Sequence, residues 1–189
     1  INLSSRQLGS PLDLDAALKL VGSMGKVRYG ILGASEDDVV FDADDLSITQ
    51  DGSDYGVVRF LYETKNEAGV YQGVGFISTL SEHPDEDAYV QGLDYHFLSS
   101  QGKWKADGQV FYSDTDEDGA GLGGFADLTY RPSRRIQVNV SASHYDDQLD
   151  LNDLGFLRRN DVTNFWMQAE YRRYDFDWAR KIYLNSFLS

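Results

Sequence analysis

Apolar and polar residues alternate one for one through residues 136–144. Ile136, Val138, Val140 and Ala142 fall on one side, and Gln137, Asn139, Ser141 and Ser143 fall on the other. A repeat of two sends successive side chains to opposite faces of an extended strand, and no helical face reproduces it. The same alternation sets Trp104, Ala106, Gly108, Val110 and Tyr112 against Lys103, Lys105, Asp107 and Gln109. With less contrast, it sets Tyr89, Gln91, Leu93, Tyr95 and Phe97 against Ala88, Val90, Gly92, Asp94 and His96. Comparable patterns cover residues 16–23, 27–34, 55–64, 70–80, 122–130, 163–171 and 178–188. The chain is therefore expected to be all-β, an antiparallel up-and-down meander of about ten strands. Each strand has roughly the 9–11 residues that a tilted strand needs to cross a bilayer. The meander is expected to form part or all of a transmembrane β-barrel.

The connections alternate in length. Short ones are expected at residues 24–26, 65–69, 99–102, 132–135 and 172–177, and longer ones at 35–54, 81–87, 114–121 and 146–161. A meander puts every second connection on the same rim, and outer-membrane barrels keep short turns periplasmic and longer loops outside. Charge sorts the same way. Of the 31 acidic residues, 21 lie in the four longer segments, among them Glu36, Asp37, Asp38, Asp42, Asp44 and Asp45. Basic residues gather at the short turns, as Lys26, Arg28, Lys65, Lys103, Arg131, Arg134, Arg135, Arg172 and Arg173 do. Solvent exposure makes loops polar, but it does not separate the signs.

Length suits one domain, so residues 1–189 are read as a single β-barrel domain, a fragment of a larger barrel. A net charge of −14 argues against a nucleic-acid partner, because phosphate binding needs a basic face. The absence of cysteine removes disulfides and thiolate metal sites. No apolar run approaches the roughly 18 residues of a spanning helix, a test that barrel strands escape because they alternate. Aromatic residues make up 13% of the chain, with twelve tyrosines, which suits interfacial girdles. The chain opens at Ile1 rather than Met, which reads as a processed product or a fragment.

By alternation, one face of the meander carries Lys19, Arg59, Glu63, Asp94, Lys105, Asp107, Gln109, Gln137, Asn139, Gln168, Glu170 and Lys181. These are the candidate lumen-lining residues. Mixed charges at close quarters make either a salt-bridged plug or a water-filled channel. No cofactor is expected, with one exception. Asp114, Asp116 and Asp118, followed by Gly119, match the first half of a calcium loop and could hold Ca or Mg, although Phe125 stands where an EF-hand has its bidentate Glu. The better reading of that segment is a solvated acidic hairpin loop.

No enzyme is expected. His83, His96 and His144 sit in separate segments without ligand spacing. Ser143 and His144 adjoin, but neighbouring strand residues point to opposite faces and cannot pair. Gly121, Gly123 and Gly124 precede a strand rather than the helix that a phosphate cradle requires.

The stretch Leu154-Gly155-Phe156-Leu157-Arg158-Arg159-Asn160-Asp161 resembles a family of bacterial outer-membrane barrel domains of unknown function. These follow a carbohydrate-binding-family-nine-like domain in large proteins. Ser5-Arg6-Gln7-Leu8-Gly9 looks like that family's SRRIG segment, with Gln7 in place of the second Arg, and the hairpin over residues 17–33 is similar to its paired first strands. The resemblance implies a bacterial outer-membrane location and a barrel of more than ten strands. It implies no catalytic residues, and sugar binding would belong to a companion domain. Outer-membrane barrels as a class usually finish on an aromatic residue. The ending Phe187-Leu188-Ser189 instead reads as an internal strand.

The expected function is thus outer-membrane passage or anchoring, a pore or scaffold whose acidic external loops meet cations, lipopolysaccharide with its divalent ions, or a protein partner. The alternative is a soluble secreted β-barrel or sandwich that binds a ligand such as glycan through its tyrosines. A lipid-acting enzyme is a third class.

Overall fold

The computed structural model describes residues 14–43, 46–83, 86–116, 119–151, 157, 159–174 and 181–188. Twelve strands form, and no helix occurs among the described residues. They are β1 (Leu14–Met24), β2 (Val27–Glu36), β3 (Val39–Ala43), β4 (Leu46–Gln50), β5 (Asp54–Lys65), β6 (Tyr71–His83), β7 (Glu86–Leu98), β8 (Trp104–Thr115), β9 (Gly119–Ser133), β10 (Ile136–Tyr145), β11 (Val162–Tyr174) and β12 (Lys181–Leu188). Ten make one antiparallel sheet in the order β1-β2-β5-β6-β7-β8-β9-β10-β11-β12, and β3 and β4 pair by themselves. The sheet is open, because β1 and β12 do not pair with each other.

All ten expected strands are present, with ends that differ in an informative way. Residues 81–87 and 114–121 were expected as longer loops. Instead β6 and β7 stay paired out to His83 opposite Glu86, and β8 and β9 out to Thr115 opposite Gly119. Polar residues at a strand end lose nothing by continuing the backbone ladder in water, so loss of alternation marked the end of the apolar belt rather than the end of the strand. The 35–54 segment also carries structure, since Val39-Val40-Phe41 pairs with Ile48-Thr49-Gln50. The sorting of connections by length is accordingly less marked than expected. The sorting of charge is untouched.

Short turns close with glycine where the chain must turn left-handed. Gly25 (φ 60) and Gly102 (φ 66) have open space around a would-be Cβ, so backbone conformation and not crowding requires them.

This sheet has almost no interior. Among the described residues only Ala88 and Leu149 are buried hydrophobics. The accessible surface is 13241 Å² for 21.3 kDa, against about 9,100 Å² for a compact soluble monomer of that mass. Most of the exposed large hydrophobic side chains lie on one face. Leu18, Leu20, Phe60, Val74, Phe76, Leu93, Val110, Leu122, Phe165 and Leu184 are all exposed there, spread from β1 to β12.

Candidate functional site

Residues paired across an antiparallel ladder share a face. Following the register from β1 to β12 brings all twelve candidate lumen residues to one face, the one opposite the apolar surface. Lys19 lies opposite Leu32 near the β1 edge, Gln109 lies between Asp94 and Phe125, and Lys181 takes its register place opposite Tyr174. The other nine form two networks.

The first network is ionic and spans β2 to β8. Arg59 on β5 reaches across β6 to Asp94 on β7 in a bidentate pair, one of whose bonds, from the second guanidinium nitrogen to Oδ2, measures 2.9 Å. The reach is possible because Gly75 lies on β6 beneath it. A Cβ there would overlap both the carboxylate and the guanidinium. Asp94 is 4% exposed, a depth at which an unpaired carboxylate is costly. His96, two residues on along the same face, places Nε2 3.0 Å from Asp94 and Nδ1 2.8 Å from Asp107. Lys105 Nζ then lies 2.6 Å from Asp107. Beside this chain Glu63 pairs with Arg28 and accepts a 2.7 Å bond from the Tyr71 hydroxyl, again over a glycine, Gly73. Periodicity identified Arg59, Glu63, Asp94, Lys105 and Asp107 but missed Arg28, Tyr71 and His96. The spacing of His96 from Asp94, two residues along a strand, was a signal that could have found it.

The second network is built of amides and spans β9 to β12. Gln137 donates to Asn139 (3.0 Å), Thr129 bonds to Asn139 (3.1 Å), Asn139 donates to Gln168 (3.5 Å), and Gln168 donates to Asn185 (3.2 Å). Glu170 closes the row with Arg172 at 2.5 Å. This face can hold water and polar solutes against charges already neutralised by neighbours. His144, on the opposite face, bonds Thr163 at 2.8 Å rather than Ser143.

At the acidic rim, Asp116 is occupied with the Asp87 backbone, donating its N–H to the Asp87 carbonyl (3.2 Å) and accepting the Asp87 N–H at 3.3 Å. Asp114 accepts from Tyr112, and Asp118 lies outside the described residues. Among the described residues no group of three or more His, Cys, Asp or Glu side chains is placed to hold a metal ion.

The apolar face has its own order. Tyr62, Tyr95, Tyr130 and Tyr171 each stand three residues before the end of a strand at the short turns, and Tyr89 and Tyr112 three residues from strand ends at the acidic rim. Trp104 stacks on Tyr130, with ring centroids 4.0 Å apart, beside the short turns. Trp104 and Tyr112 bracket β8 about 27 Å apart along the strand, or about 20 Å in height for a strand tilted by about 40°.

A family model described as a domain of unknown function (DUF5916) matches residues 74–188, from within β6 to β12. The 154–161 stretch falls inside that match, whereas residues 5–9 and the first hairpin lie before it. No curated protein and no solved structure matches the chain.

Proposed function

The chain belongs to the DUF5916 family, and from that premise we propose that it forms wall of a bacterial outer-membrane β-barrel, anchoring or opening a polar passage. The carrying observation is the uncovered apolar face. Ten paired strands present bulky aliphatic side chains on one side, with tyrosines at both margins of the band. Water does not favour so large a continuous patch. Lipid does, and a flanked apolar belt of about 25 Å is what barrel proteins present to it. The opposite face, with its ion pairs and amide ladder, then faces an aqueous interior. The acidic loops lie outside the cell, meeting cations, lipopolysaccharide or a partner, and the basic turns lie in the periplasm.

Fractionation tests this directly. The protein should sediment with outer membranes, resist salt and carbonate extraction and enter solution only with detergent. Recovery of folded protein in buffer, with saturable binding to a glycan array, would replace this reading with the soluble binding module.

A further inference from the structure

The short-turn rim holds a cavity lined by Arg131, Arg134, Arg135 and Arg172, with Gln137 and Glu170 on its polar side. From this we infer that it is an anion site for a phosphate group.

The sheet itself brings the four arginines together. Arg134 and Arg135 form the tight turn between β9 and β10. The Arg131 N–H bonds the Lys103 carbonyl and the Arg172 N–H bonds the Arg135 carbonyl, both at 2.7 Å, so strand pairing fixes their positions. Two of the guanidiniums have a local partner. Arg131 Nε donates to Gln137 at 2.8 Å, and Arg172 pairs with Glu170. Arg134 and Arg135 have no carboxylate partner among the described residues, and the residues that line the cavity include four arginines and one carboxylate, Glu170, in a chain of net charge −14. Like charges gathered at one rim repel one another, and an anion in the cavity relieves that repulsion.

The donor set selects the anion. A guanidinium is a flat fork that grips two oxygens at once. A carboxylate has two oxygens and satisfies one or two forks. A phosphate presents oxygens in several directions and serves three or four. The apolar face begins immediately beside the cavity at Ile136, and the Trp104–Tyr130 stack stands on that face near the same turns. A phospholipid lying along the apolar face could reach its phosphate over the β9–β10 turn to the arginines. Free phosphate carries the same chemistry.

The test uses the purified full chain in non-ionic detergent, titrated by calorimetry with inorganic phosphate and, separately, with short-chain phosphatidylglycerol. Saturable binding is expected, weakened at least tenfold in Arg134→Gln/Arg135→Gln and unchanged in the rim control Lys26→Gln/Lys65→Gln. Both turn arginines are exposed, and circular dichroism checks that strand content survives their replacement. Binding of both ligands supports a general phosphate site, and binding of the lipid alone supports a headgroup site. Equal weakening in the lysine control, or no saturable binding of either ligand, overturns the proposal. The phosphate arm stands apart from the membrane reading, because a protein that stays in buffer yet binds phosphate refutes only the latter.

Discussion

Leu149 lies so close over Gly121 that a Cβ on that glycine would overlap the Leu149 backbone. The segment that follows β10 thus folds back over the polar face of β9 instead of standing in solvent. Leu149 is 1% exposed. Its side chain comes within 2.6 Å of where a Cβ on Gly123 would sit, and the next residue, Asp150, donates its N–H to Ser113 at 3.0 Å. Gly121 and Gly123, two of the three glycines that could have been read as a phosphate cradle, are the floor of this seat.

Replacing Gly121 by Val should therefore unseat the loop while leaving the strand ladder intact. The expected outcome is faster proteolysis between residues 146 and 161, with unchanged strand content by circular dichroism. Leu149→Ala should act in the same direction, costing about 2 kcal/mol of local stability, the low end for a buried leucine because a loop can collapse on the gap. Hydrogen exchange at the Asp150 amide measures it.

The contrast between this seat and the strands shows what a single sequence discloses. Alternation records two environments directly, so the faces of 104–112 and 136–144 could be read residue by residue, and all twelve interior candidates share one face. What joins them depends on register and on what is missing between them. Nothing local to Arg59 or Asp94 says that Gly75 lies beneath both. Leu149 was invisible because Leu149 and Leu151, set among Asp146, Asp147, Asp150 and Asp153, make too short a run to establish a period. The β3–β4 pair left a trace in Val39-Val40-Phe41 and Leu46-Ser47-Ile48, too short against the surrounding acid to separate from loop.

Asp94→Ala should destabilise the protein because Arg59 and His96 lose their shared carboxylate. About 1–3 kcal/mol is expected, less than for a wholly dry pair because a third of the Arg59 side chain remains exposed. Adding Arg59→Met should restore part of the loss by removing the orphaned charge. Gly75→Ala should imitate Asp94→Ala while leaving every charge in place. Thermal unfolding of the three variants and the parent in one detergent checks the set, and a Gly75→Ala protein as stable as the parent would refute the role given to that glycine.

The two faces make opposite demands at neighbouring positions. Val140 lies on the apolar face opposite Leu128 and Met167. Val140→Arg should cost about 2–4 kcal/mol if that face meets lipid near mid-membrane. Asn139→Arg, one residue away, should be milder, trading the amide bonds to Thr129 and Gln168 for a charge on the wet side. Folding yield into vesicles measures both, and equal tolerance would contradict the face assignment.

Orientation is the prediction with the widest reach, because it draws on charge sorting and topology together. In a meander the 66–70, 99–103 and 134–135 turns share one rim. Lys65, Lys103, Arg134 and Arg135 stand at those turns, while Glu36, Asp54, Glu86 and Asp116 stand at the other rim. A barrel inserted from the periplasm keeps its tight turns there and sends the longer, insertion-tolerant loops out. A tag placed between Ala43 and Asp44 should then be reached by antibody on intact cells. The same tag between Asn66 and Glu67, in the hydrogen-bonded turn where the Gly69 N–H meets the Asn66 carbonyl at 2.9 Å, should be reached only after the outer membrane is breached. Labelling of the second tag alone would invert the orientation. Labelling of both on protein free in the medium would remove the membrane from the account, and the apolar face would then need a protein partner to cover it.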